Sequence, residues 1–404
     1  MVRNIITQAT TVSTELGVSC HLVKYFNFTF HKVSLSQPEV SVGQNVPMRP
    51  SNSLVRMVCA LRRLIASMLS RRVKQKVKSL LQRYYCWRNQ QETADGFLQS
   101  ITAGNDQTTS LLLLPDSTWK LDMWPAVDAF RQQGGKVCAV LYDLIPMLYP
   151  DVVMDEHREQ FTRWWIELLD RVDAVMCISQ TVRTDFLAWQ AQQGRKQLPP
   201  EKVGYFYLGS ELSFYDPVIH LLSSNIPFFL VVGSLEPRKN HGLVLDAFDQ
   251  LWLQGLDVRL AIVGAFGWNN ELLLARIKHH PELDQRLFLI RDATDRDLFS
   301  LYSKCTGLIF ASIAEGFGLP IVEAMQRRAY VLCSDIPIFH EVAGEDVSFF
   351  DPHNAQSLVL AIRQRIDHLD TTMRPIAEQQ PNWIGWHESV QQLLVRALMI
   401  TDSK

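Results

Sequence analysis

The residues best equipped for chemistry lie in one stretch, Ser312-Ile313-Ala314-Glu315-Gly316-Phe317-Gly318-Leu319-Pro320-Ile321-Val322-Glu323-Ala324-Met325. The apolar run Gly307 to Phe310 before it reads as a buried strand, and Pro320 opens an apolar segment that reads as a helix. Proline fits the first helical turn, where its missing N–H costs nothing, and the two glycines let main chain approach a ligand with no Cβ in the way. Free N–H groups and the positive end of the helix dipole then make an anion site, with phosphate the obvious anion. Glu315, before the helix, and Glu323, about one turn into it, are acceptor-only groups that suit hydroxyls better than phosphate oxygens. Hydroxyls on both sides of a phosphate bridge describe a nucleotide sugar.

A second cluster, Gly233-Ser234-Leu235-Glu236-Pro237-Arg238-Lys239-Asn240, follows the apolar run Phe228 to Val232. Asn240 reads as the N-cap of a helix continuing through Leu253, with Arg238 and Lys239 just before it. A guanidinium, an ammonium and a helix N-terminus together can hold a diphosphate without a metal. Asp295-Arg296-Asp297 has the D-x-D form of a metal site, but Thr294 reads as an N-cap that sets both aspartates in a first helical turn, where the dipole favours acids. Gly264-Ala265-Phe266-Gly267 reads as a strand-to-helix turn, and Asp292 with Ala293 stands at the same rim, where a base can be recognised.

Both clusters resemble the motifs of retaining glycosyltransferases with the GT-B fold, and most closely those of glycosyltransferase family 4. The matching features are the paired glutamates around Gly-Phe-Gly-Leu-Pro, the Glu-Ala that follows, and Gly-Ser-Leu-Glu-Pro-Arg-Lys-Asn. The resemblance implies two Rossmann-like domains facing each other across a cleft. Glu315 would orient the sugar hydroxyls and Glu323 bind ribose. Arg238, Lys239 and the main-chain N–H groups near Phe317, Gly318 and Leu319 would hold the leaving diphosphate, with Gly233 and Ser234 beside it. Transfer would retain anomeric configuration without a metal, and the departing phosphate oxygen would serve as base for the incoming hydroxyl.

Val140-Leu141-Tyr142-Asp143-Leu144-Ile145-Pro146, with Tyr149-Pro150 after it, resembles a segment of the polysaccharide mannosyltransferase branch of that family. This implies GDP-mannose as the favoured donor and Asp143 as a catalytic cleft residue. Tyr142 stands where many members carry histidine, and tyrosine is a poor proton acceptor at neutral pH. Cys177-Ile178-Ser179-Gln180-Thr181 resembles another corner of the family, in which Ser179 also reads as a plain N-cap. The start, Met1-Val2-Arg3-Asn4-Ile5-Ile6, resembles the inside of the family's first helix, so the expected N-terminal domain is incomplete, without its opening strand and glycine turn. Two functions follow. One is a hexosyltransferase moving mannose to a glycan or lipid-linked glycan acceptor in cell-surface polysaccharide or lipopolysaccharide synthesis. The other is a sugar-nucleotide-binding chain with impaired transfer.

Alternating strands and helices must position these residues. Leu111 to Leu114, Val137 to Tyr142, Ala174 to Ser179 and Val203 to Leu208 are short apolar runs, separated by helical segments at Trp124 to Gln133, Glu156 to Arg171 and Val182 to Gln193. Strands are expected again at Phe228 to Val232, Arg259 to Val263, Leu287 to Ile290, Gly307 to Phe310 and Tyr330 to Cys333, and helices at Ala355 to Leu369 and Asn382 to Met399. Such alternation predicts parallel, doubly wound sheets. The domain boundaries are an N-terminal acceptor-side domain at 1–217, a linker at 218–226, a nucleotide-sugar domain at 227–380 and a final helix at 381–404 that crosses back. Trp383 and Trp386 read as packing anchors for that crossing. Before Leu111 one strand is expected, near Ser19 to Val23, followed by the aromatic run Tyr25 to Phe30.

The net charge of −2 hides an uneven distribution: Arg49 to Arg88 carries eleven Lys and Arg and no acid. Apolar residues there recur at three and four, so a basic amphipathic helical insertion is expected over 49–88, suited to an anionic membrane surface or to simple packing, with nucleic acid a poorer fit. The 7 cysteines show no metal or disulfide spacing, which fits reduced thiols in the cytoplasm. The polar start and the lack of a run of about 18 apolar residues argue against export and membrane spanning, so the expected place is the cytoplasm or the inner face of the membrane.

Overall fold

The computed structural model describes residues 2–16, 22–26, 29–33, 110–115, 123–194, 197–211, 226–345, 347–369 and 383–402. The basic stretch at 49–88 and the linker residues 218–225 lie outside the described residues. Two compact units are formed, one from Met1–Ser19, Leu111–Lys120 and Lys136–Lys404, the other from Cys20–Ser110 and Leu121–Gly135.

The chain opens with helix α1 (Val2–Glu15). Strands β1 (Leu22–Phe26) and β2 (Thr29–Val33) then pair antiparallel, Leu22 opposite Val33 and Phe26 opposite Thr29. This departs from the single strand expected near Ser19 to Val23. The β-prone aromatic run is shared between the two arms of a hairpin, and return pairing satisfies the N–H and C=O groups that one isolated strand leaves open.

Next come β3 (Leu111–Leu114), α2 (Trp124–Gln132), β4 (Lys136–Leu141), α3 (Ile145–Leu148), α4 (Asp155–Leu169), β5 (Ala174–Cys177), α5 (Gln180–Gln192) and β6 (Val203–Tyr205). The four strands form a parallel sheet in the order β3-β4-β5-β6. β5 is buried along its whole length, as a run of apolar residues covered on both faces must be. Cys138 and Cys177 lie in this interior as free thiols, and burial pushes both up from the ordinary thiol range.

The second series is β7 (Phe228–Val232), α6 (His241–Leu253), β8 (Arg259–Val263), α7 (Glu271–Lys278), β9 (Leu287–Ile290), α8 (Asp295–Lys304), β10 (Gly307–Phe310), α9 (Leu319–Gln326), β11 (Val331–Ser334), α10 (Pro337–Ala343), β12 (Ser348–Phe350) and α11 (Ala355–Asp367). Its six strands are parallel in the order β9-β8-β7-β10-β11-β12, so the winding direction reverses between β7 and β10. The core is aromatic and aliphatic: Phe248 of α6 meets the rings of Phe229 and Trp252 edge to face at 6.2 and 5.5 Å. Four expected strands match to the residue and the fifth shifts by one; β12, three residues long, is too short for periodicity to reveal.

Helix α12 (Trp386–Asp402) ends the described chain and packs on the four-stranded sheet. Arg396 donates to the Tyr205 carbonyl at 2.5 Å, Lys202 to the Ile400 carbonyl at 2.9 Å, and Ser389 to the Tyr207 carbonyl at 2.7 Å. At its start Glu211 accepts the Trp386 N–H at 2.9 Å, a carboxylate on the positive end of a helix. Trp386 is buried, in keeping with an anchor, and α1 lies along α12 with Ile5, Ala9 and Val12 turned inward. Among the described residues no helix is long and apolar enough to cross a membrane.

One close approach holds the rim of the six-stranded sheet. A Cβ on Gly264 would sit 1.9 Å from the Gly233 carbonyl oxygen, so β8 can leave the sheet beside β7 only with glycine there. Gly264→Ala is expected to lower the unfolding free energy by about 1–3 kcal/mol. Denaturant titration checks this, and an unchanged midpoint would contradict it.

Candidate active site

In a doubly wound sheet, ligands sit beyond the carboxyl ends of the strands where the winding reverses. Here that place lies between the loops leaving β7 and β10. Gly233 and Ser234 begin the first loop, which closes in a 3-10 turn at Pro237–Lys239; the second runs from Ala311 to Gly318. The Ile313 N–H donates to the Arg238 carbonyl at 2.9 Å and ties the loops together.

One oxygen of Glu315 is the meeting point. Lys239 Nζ lies 2.5 Å from Oε1, an Arg238 guanidinium nitrogen 2.7 Å away, and Ser312 Oγ donates to it at 2.8 Å. Arg238 also pairs with Glu236 at 2.8 Å and donates to the Ala314 carbonyl at 3.2 Å. The Glu315 and Lys239 side chains are each 11% exposed, so this is a desolvated ion cluster rather than a surface pair. Burial opposes the charge on Glu315, but Lys239 and Arg238 outweigh it and hold the carboxyl below its usual range. Lys239 also stands 4.8 Å over the Phe310 ring.

Asn240 does not act as the expected N-cap. It adopts the left-handed conformation at φ 56°, and its side chain donates to the Pro352 carbonyl at 2.8 Å instead of accepting from the first turn of α6. Asparagine tolerates that conformation, and the side chain thereby fixes the loop to its neighbour. His241, the first residue of α6, is buried with no hydrogen-bond partner among the described residues, and burial pushes its pKa down to about 4.

Gly318 is the N-cap of α9, at φ 105° in the left-handed region, and Pro320 lies in the first turn as expected. Glu323 follows one turn later, accepting from the Tyr302 hydroxyl at 2.8 Å, and burial holds its carboxyl above the usual range. Phe317 is buried, its ring 6.1 Å from that of Tyr207. Gly316 has a different reason from the one the sequence suggests. A Cβ there would lie 2.0 Å from the Tyr142 carbonyl oxygen, so the glycine admits protein main chain. The Gly316 carbonyl also accepts from Ser179 Oγ at 3.0 Å, while Ser179 caps α5 by accepting the Val182 N–H at 3.1 Å. Ser179 is thus a cap and a bridge.

These contacts bring the exit of β4 beside Glu315. Asp143 accepts the Ile145 N–H at 3.0 Å, and burial holds its carboxyl above the usual range, with Arg238 opposing that rise and Glu315 and Glu236 adding to it. The Tyr142 hydroxyl donates to the Pro115 carbonyl at 2.6 Å. A cavity of about 570 Å³ opens alongside, with Asp143, Glu315, Tyr149, Thr181, Asp185 and Glu341 in its wall.

The structure therefore gathers Arg238, Lys239, Glu315 and Asp143 at one point, with Gly233 against the Lys239 stem and Phe317, Gly318 and Leu319 at the head of α9. Asp292 stands apart, exposed on the rim after β9, two strands from β7. Thr294 and Asp297 form a capping box, each side chain accepting the other's N–H. Sequence reasoning passed over the roles of Glu236, Ser312 and Glu341. The first two sit inside the quoted motifs, where an acid beside an arginine and a serine three residues before a glutamate are readable signals.

Residues 216–379 match the family model described as glycosyl transferases group 1. A serotype-specific mannosyltransferase, WbdA of Escherichia coli, is 33% identical over 279 residues, which are 66% of this chain and 34% of that protein. The O-antigen chain mannosyltransferase RfbU of Salmonella typhimurium is 26% identical over 225 residues, 55% of this chain and 59% of the relative. The chain thus spans about a third of the length of WbdA. Among solved structures, a glycosyltransferase from Rickettsia africae superposes with a TM-score of 0.54 at 14% identity, covering 73% of this chain and 78% of that one. HepE of Anabaena, in complex with UDP and glucose, superposes with a TM-score of 0.54 at 19% identity, covering 71% and 77%. The fold is GT-B.

The raised Asp143 carboxyl carries a stability signature. Ionising it costs the native state free energy, a cost present above its folded pKa and gone once pH falls below the ordinary carboxylate range of about 4. Asp143→Asn keeps the acceptor for the Ile145 N–H without the charge. It is expected to melt higher than the parent at pH 7, by about 1–3 °C, with the gap closing by pH 4. Melting curves across that interval test it; a gap that widens on acidification refutes the assignment.

Proposed function

We propose, from the premise that residues 216–379 are a glycosyl transferases group 1 domain, that this chain transfers mannose from a nucleotide diphosphate sugar, with GDP-mannose favoured, to a glycan or lipid-linked glycan during O-antigen or related cell-surface polysaccharide synthesis. The observation that carries the proposal is the convergence of Arg238 and Lys239 on Glu315 where the six-stranded sheet reverses. Mannosyltransferases among the relatives support the sugar. The work would take place on the cytoplasmic side, with the basic segment at 49–88 as a contact for anionic membrane.

The difficult step is departure of the nucleoside diphosphate from the anomeric carbon. Arg238, Lys239 and the N–H groups at the head of α9 stabilise the charge that grows on the leaving oxygen, and two cations at that point remove the need for a metal. As the diphosphate takes the cations, Glu315 is released to accept from sugar hydroxyls, while Glu323 accepts from the ribose. The bond from the anomeric carbon to phosphate oxygen breaks, and the bond to the acceptor oxygen forms on the same face, so configuration is retained. The acceptor's proton passes to the departing phosphate oxygen. Asp143 lines the sugar side.

Two measurements test this reading. Thermal unfolding with GDP, UDP and dTDP should show the largest rise with GDP, equivalent to about 2.7 kcal/mol when ligand exceeds Kd a hundredfold; no rise with any of the three would sink the proposal. Glu315→Gln should lose transfer by about 100-fold or more yet bind GDP at least as tightly, because Lys239 and Arg238 are freed. Lys239→Ala should weaken GDP by about 10–100-fold. The opposite ranking of the two variants in GDP affinity would refute the assigned roles.

A further inference from the structure

Glu341, on α10, reaches across from the six-stranded half of the cleft to the N-terminus of α5 on the four-stranded half. Its carboxylate accepts the Gln180 N–H at 2.6 Å, the Thr181 N–H at 2.7 Å and the Thr181 hydroxyl at 2.5 Å. Burial, with the Glu341 carboxylate adding to it, pushes the Tyr207 hydroxyl up to about 12. Two N–H groups that lie too early in the helix to have a partner within it, and the positive end of that 13-residue helix, are thus met by a negative charge supplied from the opposite sheet.

On its own side, Glu341 is tied to the site. Phe339 of the same short helix packs on Phe310 at 5.2 Å, and its ring lies 3.2 Å from where a Cβ of Gly318 would stand. From the α5 side, Ser179 donates to the carbonyl of Gly316. The loop that carries Glu315 is therefore gripped twice by the N-terminus of α5, once directly and once through Glu341. The second grip, Glu341 with Gln180 and Thr181, lies in the wall of the cavity beside Asp143.

We propose that Glu341 is a positioning residue, a latch whose seat on the N-terminus of α5 holds the two halves of the cleft in the closed register that sets Asp143 beside Glu315. Donor contacts through Arg238, Lys239 and the head of α9 belong to one half alone and do not need the latch. Transfer needs both halves. Breaking the latch should accordingly spare nucleotide binding and depress turnover, whereas a residue that only supports the donor half would change both.

The activity arm of the test rests on the transferase reading; the shape arm does not. In the full chain, Glu341→Ala should increase the radius of gyration measured by small-angle scattering without nucleotide. It should leave the GDP Kd within about twofold and lower kcat at saturating GDP-mannose about tenfold, with Glu341→Gln, which keeps one acceptor oxygen, in between. Thr181→Val removes a single bond and serves if Glu341→Ala does not fold, with the same pattern at smaller size. Unchanged scattering and kcat overturn the latch, as does a loss of GDP affinity matching the loss of kcat. Absence of GDP binding by the parent chain would instead count against the transferase reading, and scattering alone would then decide the latch.

Discussion

A single buried carboxylate oxygen, Oε1 of Glu315, balances a guanidinium and an ammonium where the six-stranded sheet reverses direction. Each partner is indispensable to the others. Without Glu315, two desolvated cations would face each other; without the cations, a carboxylate would be stranded in the protein interior, and either state costs several kcal/mol. The loops after β7 and β10 are far apart in sequence and meet because this cluster must close. Strand order supplies the meeting place, and the charges dictate how tightly the loops meet.

The closeness extends to the four-stranded sheet through main chain. Gly316 lies so near the Tyr142 carbonyl that no side chain fits, and Ser179 binds the Gly316 carbonyl from the capped end of α5. Buried polar groups of this kind have no water to fall back on, so the Gly316 carbonyl, the Ser179 hydroxyl and the Ile313 N–H are each committed to a partner. That commitment makes the arrangement specific. A shift of one loop by an ångström would strand several of these groups at once.

Much of this was legible in the residues. β7, β8, β9 and β10 match their expected runs to the residue, because strands of a parallel sheet covered by helices advertise themselves as short, largely apolar segments. Arg238, Lys239 and Glu315 were identified by type and spacing, and Pro320 by its fitness for a first helical turn. Contacts made by backbone across long sequence separations were not legible. Asn240 has the composition of a cap, yet a left-handed backbone sends its side chain to Pro352. Gly316 has the look of a ligand-facing glycine, yet its neighbour is the chain's own carbonyl. Glu341 lies in a seven-residue helix whose pattern is too brief to place, and its partners are 160 residues away.

The site also bears on where the acceptor's proton can go under the proposed transfer. A general base needs a free lone pair and a proton affinity near the working pH. Before the diphosphate binds, Lys239 and Arg238 hold Glu315 ionised with a weakened pull on a proton, and once the diphosphate takes those cations its oxygens are occupied by the donor-sugar hydroxyls. Tyr142, standing where a histidine would have been the natural choice, donates its hydroxyl to Pro115. Asp143 is displaced in the opposite direction, toward its neutral form, which suits a hydroxyl contact. The group whose basicity rises as the reaction proceeds is the departing phosphate oxygen, which gains charge as its bond to the sugar lengthens. Arg238 and Lys239 would keep that oxygen next to the face the acceptor must attack. On this reading, the geometry that stabilises the leaving group also delivers the base, so the buried cation pair serves both halves of the exchange.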